Sequence, residues 1–596
     1  MDVPKISEYS LVGDCRTAAL IGPSGALAWY CAPRFDSSAS FAALLGDREN
    51  GVWTLAPNDP TATAVSAYLE GTLVLETTYE GSTGSVRVTD FLAIDSPTPT
   101  LVRSVEGLRG IVAMRSAFAP KMKFGKTTPW TRKRGDAWLL EVAPDGFALH
   151  GGVESMREFD GLVATFDVGV GQRVTFDAQW FEAPGDAPAA IDTAAALTAT
   201  RAWWTAWVAD FTYEGADSAA VLRSALTLKA LQHRASGAFV AAPTTSLPEE
   251  IGGKKNWDYR YTWLRDASFT VESLVSLGFT HEAARWRDFF ASLCAGQPDT
   301  LHIMYACDGT ELAGERIAKK LSGFAASEPV HIANAANTQF QLGVYGDVIR
   351  SLDAMNRAGV EIDADVWRTV EPLAAFVEKK WRMPGNGIWE TRNGGRQYVD
   401  SKVMAWVALD RLLAIAKRNS LPFDSARYVA IRDAMHAEVC RLGYDPELKT
   451  FTQYYGSSEL DASLLLMPLV GFLPADDERV VATVAAIEKE LVRDGYVYRY
   501  SKDFAESGGE KKLPDEGAFI MCGFWLARVY AHQGRHADAR AMFDRHASIA
   551  GATGLISEEF DVERKIAIGN YPQAFSHAGL IDAAVDLASR AVAAGG

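Results

Sequence analysis

Gly471-Phe-Leu-Pro-Ala475 is almost all that separates two amphipathic segments, residues 459–471 and 476–493. A five-residue link holding a Gly and a Pro ends one helix and turns the chain straight into the next, so the two helices lie antiparallel. The same brevity recurs in Gly278-Phe-Thr-His281 and His532-Gln-Gly-Arg-His536. Working outward, apolar positions spaced for helices predict twelve of them, over residues 217–234, 266–279, 281–297, 333–358, 363–381, 399–418, 424–442, 459–471, 476–493, 516–533, 536–549 and 573–592. Alternate links, from the second-to-third to the tenth-to-eleventh, are short. The others are long and rich in aromatic and acidic residues. In an up–down array alternate links lie at opposite ends. Every long loop therefore gathers at one end, which suits a closed ring of six α-hairpins, an (α/α)6 toroid, with a loop-built cleft over one mouth.

Up to about residue 190 the period is two, punctuated by Gly, Pro, Asn and Asp. Residues 17–21 and 26–31, joined by Gly22-Pro-Ser-Gly25, read as strand, tight turn, strand. Further strands are expected over 51–56, 67–77, 85–92, 101–108, 111–118, 137–142, 161–168 and 173–181. So many short strands predict an antiparallel β-sandwich. The expected organisation is a sandwich over 1–190, a helical linker over 191–216 and the toroid over 217–596.

The formal charge of −16 argues against nucleic acid, which needs clustered Lys and Arg, and against anionic membrane surfaces. A neutral sugar is indifferent to it. Met1-Asp-Val-Pro-Lys-Ile-Ser-Glu-Tyr9 lacks the basic and then apolar run of a signal peptide, and the longest apolar run, 464–473, is too short to span a bilayer. The six cysteines are scattered without a CxxC pair, and the ten histidines form no HExxH set. The expectation is a cytoplasmic protein with reduced thiols, no metal and no cofactor. The sequence leaves the oligomeric state open, a homo-oligomer included.

Three long loops carry chemistry. Asn256-Trp-Asp-Tyr-Arg-Tyr-Thr-Trp-Leu-Arg-Asp266 sets aromatics beside two Asp and two Arg. Sugars show flat apolar faces ringed by hydroxyls, which aromatic platforms with charged donors and acceptors match. The plainer alternative is a helix N-cap at Asp266 beside packed aromatics, which leaves the density of charge unexplained. In Gly385-Asn-Gly-Ile-Trp-Glu390-Thr-Arg392 a carboxyl follows a Trp within a Gly-rich turn. It is either a desolvated acid or an exposed turn glutamate. Gly554-Leu-Ile-Ser-Glu558-Glu559-Phe-Asp561-Val-Glu563 is either a solvated acidic face or a loop whose apolar start turns Glu558 inward. Two separated carboxyls on one rim, one protonated and one ionised, meet the requirement for inverting glycoside hydrolysis.

Taken in order, these loops resemble those of the glucoamylase-type glycoside hydrolases of family 15, in the two-domain form of bacteria and archaea. The likeness runs from Ile6-Ser-Glu-Tyr-Ser-Leu-Val-Gly-Asp14 and Pro33-Arg-Phe-Asp-Ser37 through Asn256–Asp266, Leu301-His-Ile-Met-Tyr305 and Gln339-Phe-Gln-Leu342. It continues in Gly387-Ile-Trp-Glu390, Ser401–Asp410, Asp461-Ala-Ser-Leu-Leu465, Glu516-Gly-Ala-Phe519 and Ser557-Glu-Glu559. The resemblance implies a β-sandwich followed by a six-hairpin toroid, with Glu390 as general acid and Glu558 as general base. It assigns Arg265 and Asp266 to the hydroxyls of the terminal glucose, and Tyr259, Trp263 and Trp389 to its surroundings. Lys402 and Glu516 are expected to line the pocket from loop position alone. Phe35 and Asp36 are expected either to reach the pocket or to sit between the domains.

Two departures from the family pattern bear on specificity. Arg396-Gln-Tyr-Val-Asp-Ser-Lys402 and Pro329-Val-His-Ile-Ala-Asn334 depart where relatives carry Arg-His, Arg or Gly. The implied activity is exo hydrolysis of short α-glucosides that releases β-glucose. Trehalase and isomaltose hydrolase are the alternatives within the family, with phosphorolysis and a non-catalytic sugar-binding or regulatory module outside it.

Overall fold

The computed structural model describes residues 4–595, apart from 159, 296–300, 393 and 502–514. Fifteen antiparallel strands lie between Ser10 and Glu182 and form two layers. Both belong to one network because the strand Thr100–Ala119 passes through each. Its first half pairs with Gly84–Leu92 and Arg173–Glu182, its second with Val52–Pro57 and Gly161–Gly169. The two strands expected over 101–108 and 111–118 are therefore one. Gly110, at φ 64°, bends the chain between the layers without reversing it. Conversely, the strand expected over 67–77 is two, Thr63–Tyr68 and Leu75–Glu80, because a turn at Leu69–Thr72 with Gly71 at φ 66° folds the chain back. Inward residues of both layers, among them Trp53, Phe118, Phe147 and Phe176, fill one core. A buried ion pair, Arg103 Nε to Asp90 Oδ1 at 2.8 Å, also ties the Trp53 and Gly25 carbonyls into it.

Asp192 accepts from the amides of Ala194 and Ala195 and starts the helix Thr193–Val208. The helices that follow form two rings. The inner ring is Leu264–Ser276, Gly343–Arg357, Val399–Asn419, the short turn Ala462–Leu469, Ile520–His532 and Ala574–Gly595. Each packs on the next, and the last returns to the first, so the ring closes. The outer ring is Ser218–Ala230, Thr280–Cys294, Ala364–Val370 with Pro372–Lys380, Ser425–Leu442, Glu478–Leu491 and His536–Ala547. Inner helices are buried nearly all round, whereas Ser425–Leu442 buries only a stripe led by Tyr428, Met435 and Val439. Inner-to-outer links are short and outer-to-inner links long, as the (α/α)6 reading requires.

Several boundaries differ from expectation, each for a local reason. The helix expected from residue 333 begins at Gly343, because the Asn334 side chain caps a separate 3-10 turn at Ala335–Thr338. The helix over 363–381 breaks at Pro372, which has no amide to donate. The helix expected over 459–471 shrinks to 462–469, capped by Asp461 and carrying Pro468. The one expected from 516 begins at Ile520, because Ala518–Phe519 is held as a strand. Residues 296 and 297 of the expected 281–297 helix lie outside the described residues.

The sandwich rests against the long-loop end of the toroid. Arg260, buried and paired with Asp258 at 2.7 Å, donates to the Ser37 carbonyl at 2.6 Å. Trp29 donates to the Pro243 carbonyl at 2.7 Å, and the Tyr571 hydroxyl to that of Tyr9 at 2.8 Å. Phe35 is buried here, and Asp36 is held by Arg34 and the Cys307 amide. Both therefore sit between the domains and do not line the pocket.

Candidate active site

Glu390 ends a turn tied at several points. The Asn386 amide nitrogen donates to the Thr391 carbonyl at 2.8 Å, the Thr391 hydroxyl to the Asn386 carbonyl at 2.9 Å, and Gln339 Nε2 to the Glu390 carbonyl at 3.0 Å. Gly387 is required: at φ 71°, a Cβ there would lie 2.9 Å from the Tyr398 ring. Glu390 itself is left-handed at φ 57°, a conformation that costs about 1–3 kcal/mol and persists only where its surroundings enforce it. Its Oε1 accepts from Trp263 Nε1 at 2.7 Å and Arg265 Nη1 at 3.3 Å. Burial raises its carboxyl above the ordinary range, with Arg265 opposing. With its side chain 18% exposed, it is not the exposed turn residue.

Glu558 sits at the edge of a three-stranded ribbon, Ala518–Phe519, Glu559–Asp561 and Ile566–Ile568. Because side chains alternate along a strand, Glu558 faces the cavity while Glu559 faces away. Glu558 is buried, and its Oε2 accepts from the Asn570 amide at 3.2 Å. Its Oε1 is buried, and the Tyr259 side chain hydrogen-bonds to the carboxyl. Burial, then the charge of Glu249, pushes its carboxyl up to about 8, and nearby Tyr259 and Arg499 pull it back. Gly569 makes room for it, since a Cβ there would stand 2.6 Å from that of Glu558.

Both glutamates line one cavity of about 280 Å³ at the long-loop end. Trp263 and Asp266 are at its buried end. Arg265 holds Asp266 at 2.9 Å and the Ile388 carbonyl at 2.6 Å, over the Phe575 ring. Asp266 lies in the first turn of Leu264–Ser276 and is not its cap; Trp263 occupies that position. Tyr259 meets Trp263 edge-on at 5.2 Å, and Trp389 is fixed by Asp461 at 2.8 Å. Seven of the nine site residues expected from sequence thus converge: Tyr259, Trp263, Arg265, Asp266, Trp389, Glu390 and Glu558.

Lys402 and Glu516 do not. Lys402 is buried and donates to the Trp381 and Met383 carbonyls, at 2.5 and 2.8 Å, closing the end of an outer helix. Glu516 stands behind the wall, paired with Lys255 and, at 2.8 Å, with Arg499. Sequence reading missed Glu249, Lys255, Trp257, Arg392, Arg499 and Gln573, all of which line the cavity. Arg499 lies in Tyr498-Arg-Tyr500, an aromatic–Arg–aromatic string in a long loop, the same signal that marked 256–266. The carboxylates of Glu249, Glu516 and Glu559 approach as closely as metal ligands would, but Arg499 already binds all three, at 2.8, 2.7 and 3.3 Å.

Two carboxyls, Glu390 and Glu558, lining one aromatic, polar-edged cavity over the loop end of a six-hairpin toroid are what a glycoside hydrolase requires. The sequence model of the glycosyl hydrolases family 15 matches residues 215–585, and that of the trehalase-like N-terminal domain residues 1–167; the chain belongs to family 15. It is 33% identical to a trehalase of Thermoplasma volcanium, over 98% of this chain and 94% of that one. It is 34% identical to a trehalase of Mycolicibacterium smegmatis, over 98% and 91%. A bacterial glucoamylase in complex with acarbose has the same fold at TM-score 0.74 and 13% identity, covering 99% of this chain and 96% of that one.

Proposed function

We propose that the chain is an inverting trehalase. Glu390, protonated, donates to the oxygen between two glucose units, while the ionised form of Glu558, whose share grows as pH rises toward about 8, takes a proton from the water that attacks C1 on the opposite ring face. The C1–O bond breaks, leaving β-glucose from the attacked ring and α-glucose from the other. The geometry the reaction needs is about 6.5–9.5 Å between the carboxyls, room for one water. Arg265 and Asp266 hold hydroxyls of the sugar being attacked.

The observation that carries the reading is that Glu390 and Glu558 line one small cavity, with Glu390 bonded to Trp263. Preference for trehalose over maltose or isomaltose rests on relatives named trehalase that align along nearly the whole chain. Short α-glucans, first on the sequence alone, become second.

The test is an NMR time course on trehalose. Inversion gives α- and β-glucose in equal amounts before mutarotation. Early α-glucose alone overturns inversion, and cleavage of maltose but not trehalose overturns the substrate. Glu390→Gln and Glu558→Gln should each lower kcat by about 10²–10⁴. α-Glucosyl fluoride, whose leaving group needs no proton, should restore the first variant and not the second.

A further inference from the structure

We infer that Arg392 sets the length of the substrate: anchored over Trp257, it makes the outer end of the cavity a hydrogen-bonding seat for one sugar and closes it to a longer chain. The inference rests on the disaccharide reading above and deepens it.

The cavity has a graded wall. Asp266 at its inner end is 4% exposed, whereas Arg392, only two residues beyond the acid Glu390, is 47% exposed and lines the same space. Exposure thus orders the subsites, with the attacked sugar inside and the leaving sugar beneath Arg392. The Arg392 guanidinium lies 4.1 Å from the centre of the Trp257 ring, and its Nη2 is 3.1 Å from Glu315 Oε2. Glu315 is itself fixed, accepting from the Ala335 amide at 3.1 Å. Trp257 is backed by His331, stacked at 5.1 Å, whose Nδ1 bonds the Asn256 carbonyl at 2.7 Å.

The chemistry follows from what covers the indole. A chain of sugars binds along successive flat aromatic faces, each taking one ring. Here the guanidinium occupies the place a sugar ring would take on Trp257. What Arg392 offers instead is a fork of N–H donors, suited to the hydroxyls of a single sugar. A second sugar beyond it meets an anchored cation and no platform. Discrimination therefore comes from an obstacle as much as from an attraction.

The experiment compares kcat/KM for trehalose and maltotriose in the wild type, Arg392→Ala and Glu315→Gln. Arg392 acts on hydroxyls of the leaving sugar rather than on the reacting bond, so Arg392→Ala should raise KM for trehalose about tenfold with kcat within about threefold. Baring Trp257 should improve maltotriose, so that the trehalose-to-maltotriose ratio falls by at least about tenfold. Glu315→Gln, which frees the arginine without removing it, should move the ratio the same way by less. An unchanged ratio in both variants, or equal losses on both sugars, overturns the inference. If the wild type cleaves maltose and not trehalose, the proposed substrate fails, and the maltose-to-maltotriose ratio in the same variants still decides the role of Arg392.

Discussion

Glu558 and Glu559 are adjacent in sequence and opposite in circumstance, one presented to the cavity and the other to Arg499. Sequence reading selected the first of them by the apolar run before it, and strand alternation is the physical reason that works. It could not see Glu249, whose charge, after burial, does most to hold the Glu558 carboxyl up. A base must be ionised, so kcat/KM falls as pH drops through the pKa of Glu558. In Glu249→Gln the burial remains but the like charge is gone, so that pKa falls. The acidic limb of the pH profile should move to lower pH. An acidic limb that does not move removes Glu249 from the account. Lys402 and Glu516 show the converse limit. Loop position brings a residue near the cleft, but only the backbone direction decides whether its side chain enters.

At the scale of elements, the ribbon that carries Glu558 leaves no spare volume. Gly569 is left-handed at φ 75°, and a Cβ there would also fall 2.7 Å from Glu558 Oε2. Gly569→Ala should displace the carboxylate and lower kcat by about ten- to a hundredfold, with KM little changed, because an ångström of misplacement costs that much. Steady-state kinetics on trehalose check it. Behind the ribbon, Arg499 bridges three buried glutamates drawn from loops 249–559. Removing it strands their charge, so Arg499→Met should lose about 3–5 kcal/mol at pH 7. The loss should shrink toward pH 5, because without the guanidinium the folded-state pKa values rise and protonation relieves the site. Urea denaturation at the two pH values measures both. No sequence spacing announces this cluster: its partners lie from 17 to 250 positions from Arg499, and each looks like an ordinary loop charge.

At the scale of the whole molecule the fold was legible because it rests on two periods and on the parity of link lengths. Both survive errors of several residues, as the late start of Gly343–Arg357 and the break at Pro372 show. The single strand through both sandwich layers was not legible, since Gly110 reads equally as a turn or a bend until its pairing partners are known. The joint between the domains depends on Arg260, buried against Asp258 and the Ser37 carbonyl. Arg260→Ala leaves Asp258 unpaired in the interior and should cost about 3–5 kcal/mol. Calorimetry should register it as a clear fall in Tm, and an unaltered Tm would mean that the joint does not depend on this pair.

The parity of the links also divides the molecule for anyone who wishes to handle it. None of the described residues that line the cavity lies on a short link. At the tip of one, Gly534 has nothing within 4 Å of where a side chain would begin, and five of the six native cysteines are buried. Its φ of 75° disfavours a bulkier residue at that position, but an inserted loop carrying one thiol is the kind of change such tips accept. Bound to a bead or an electrode through that thiol, the enzyme would stand with its mouth toward the solution, a ready orientation for a sugar sensor.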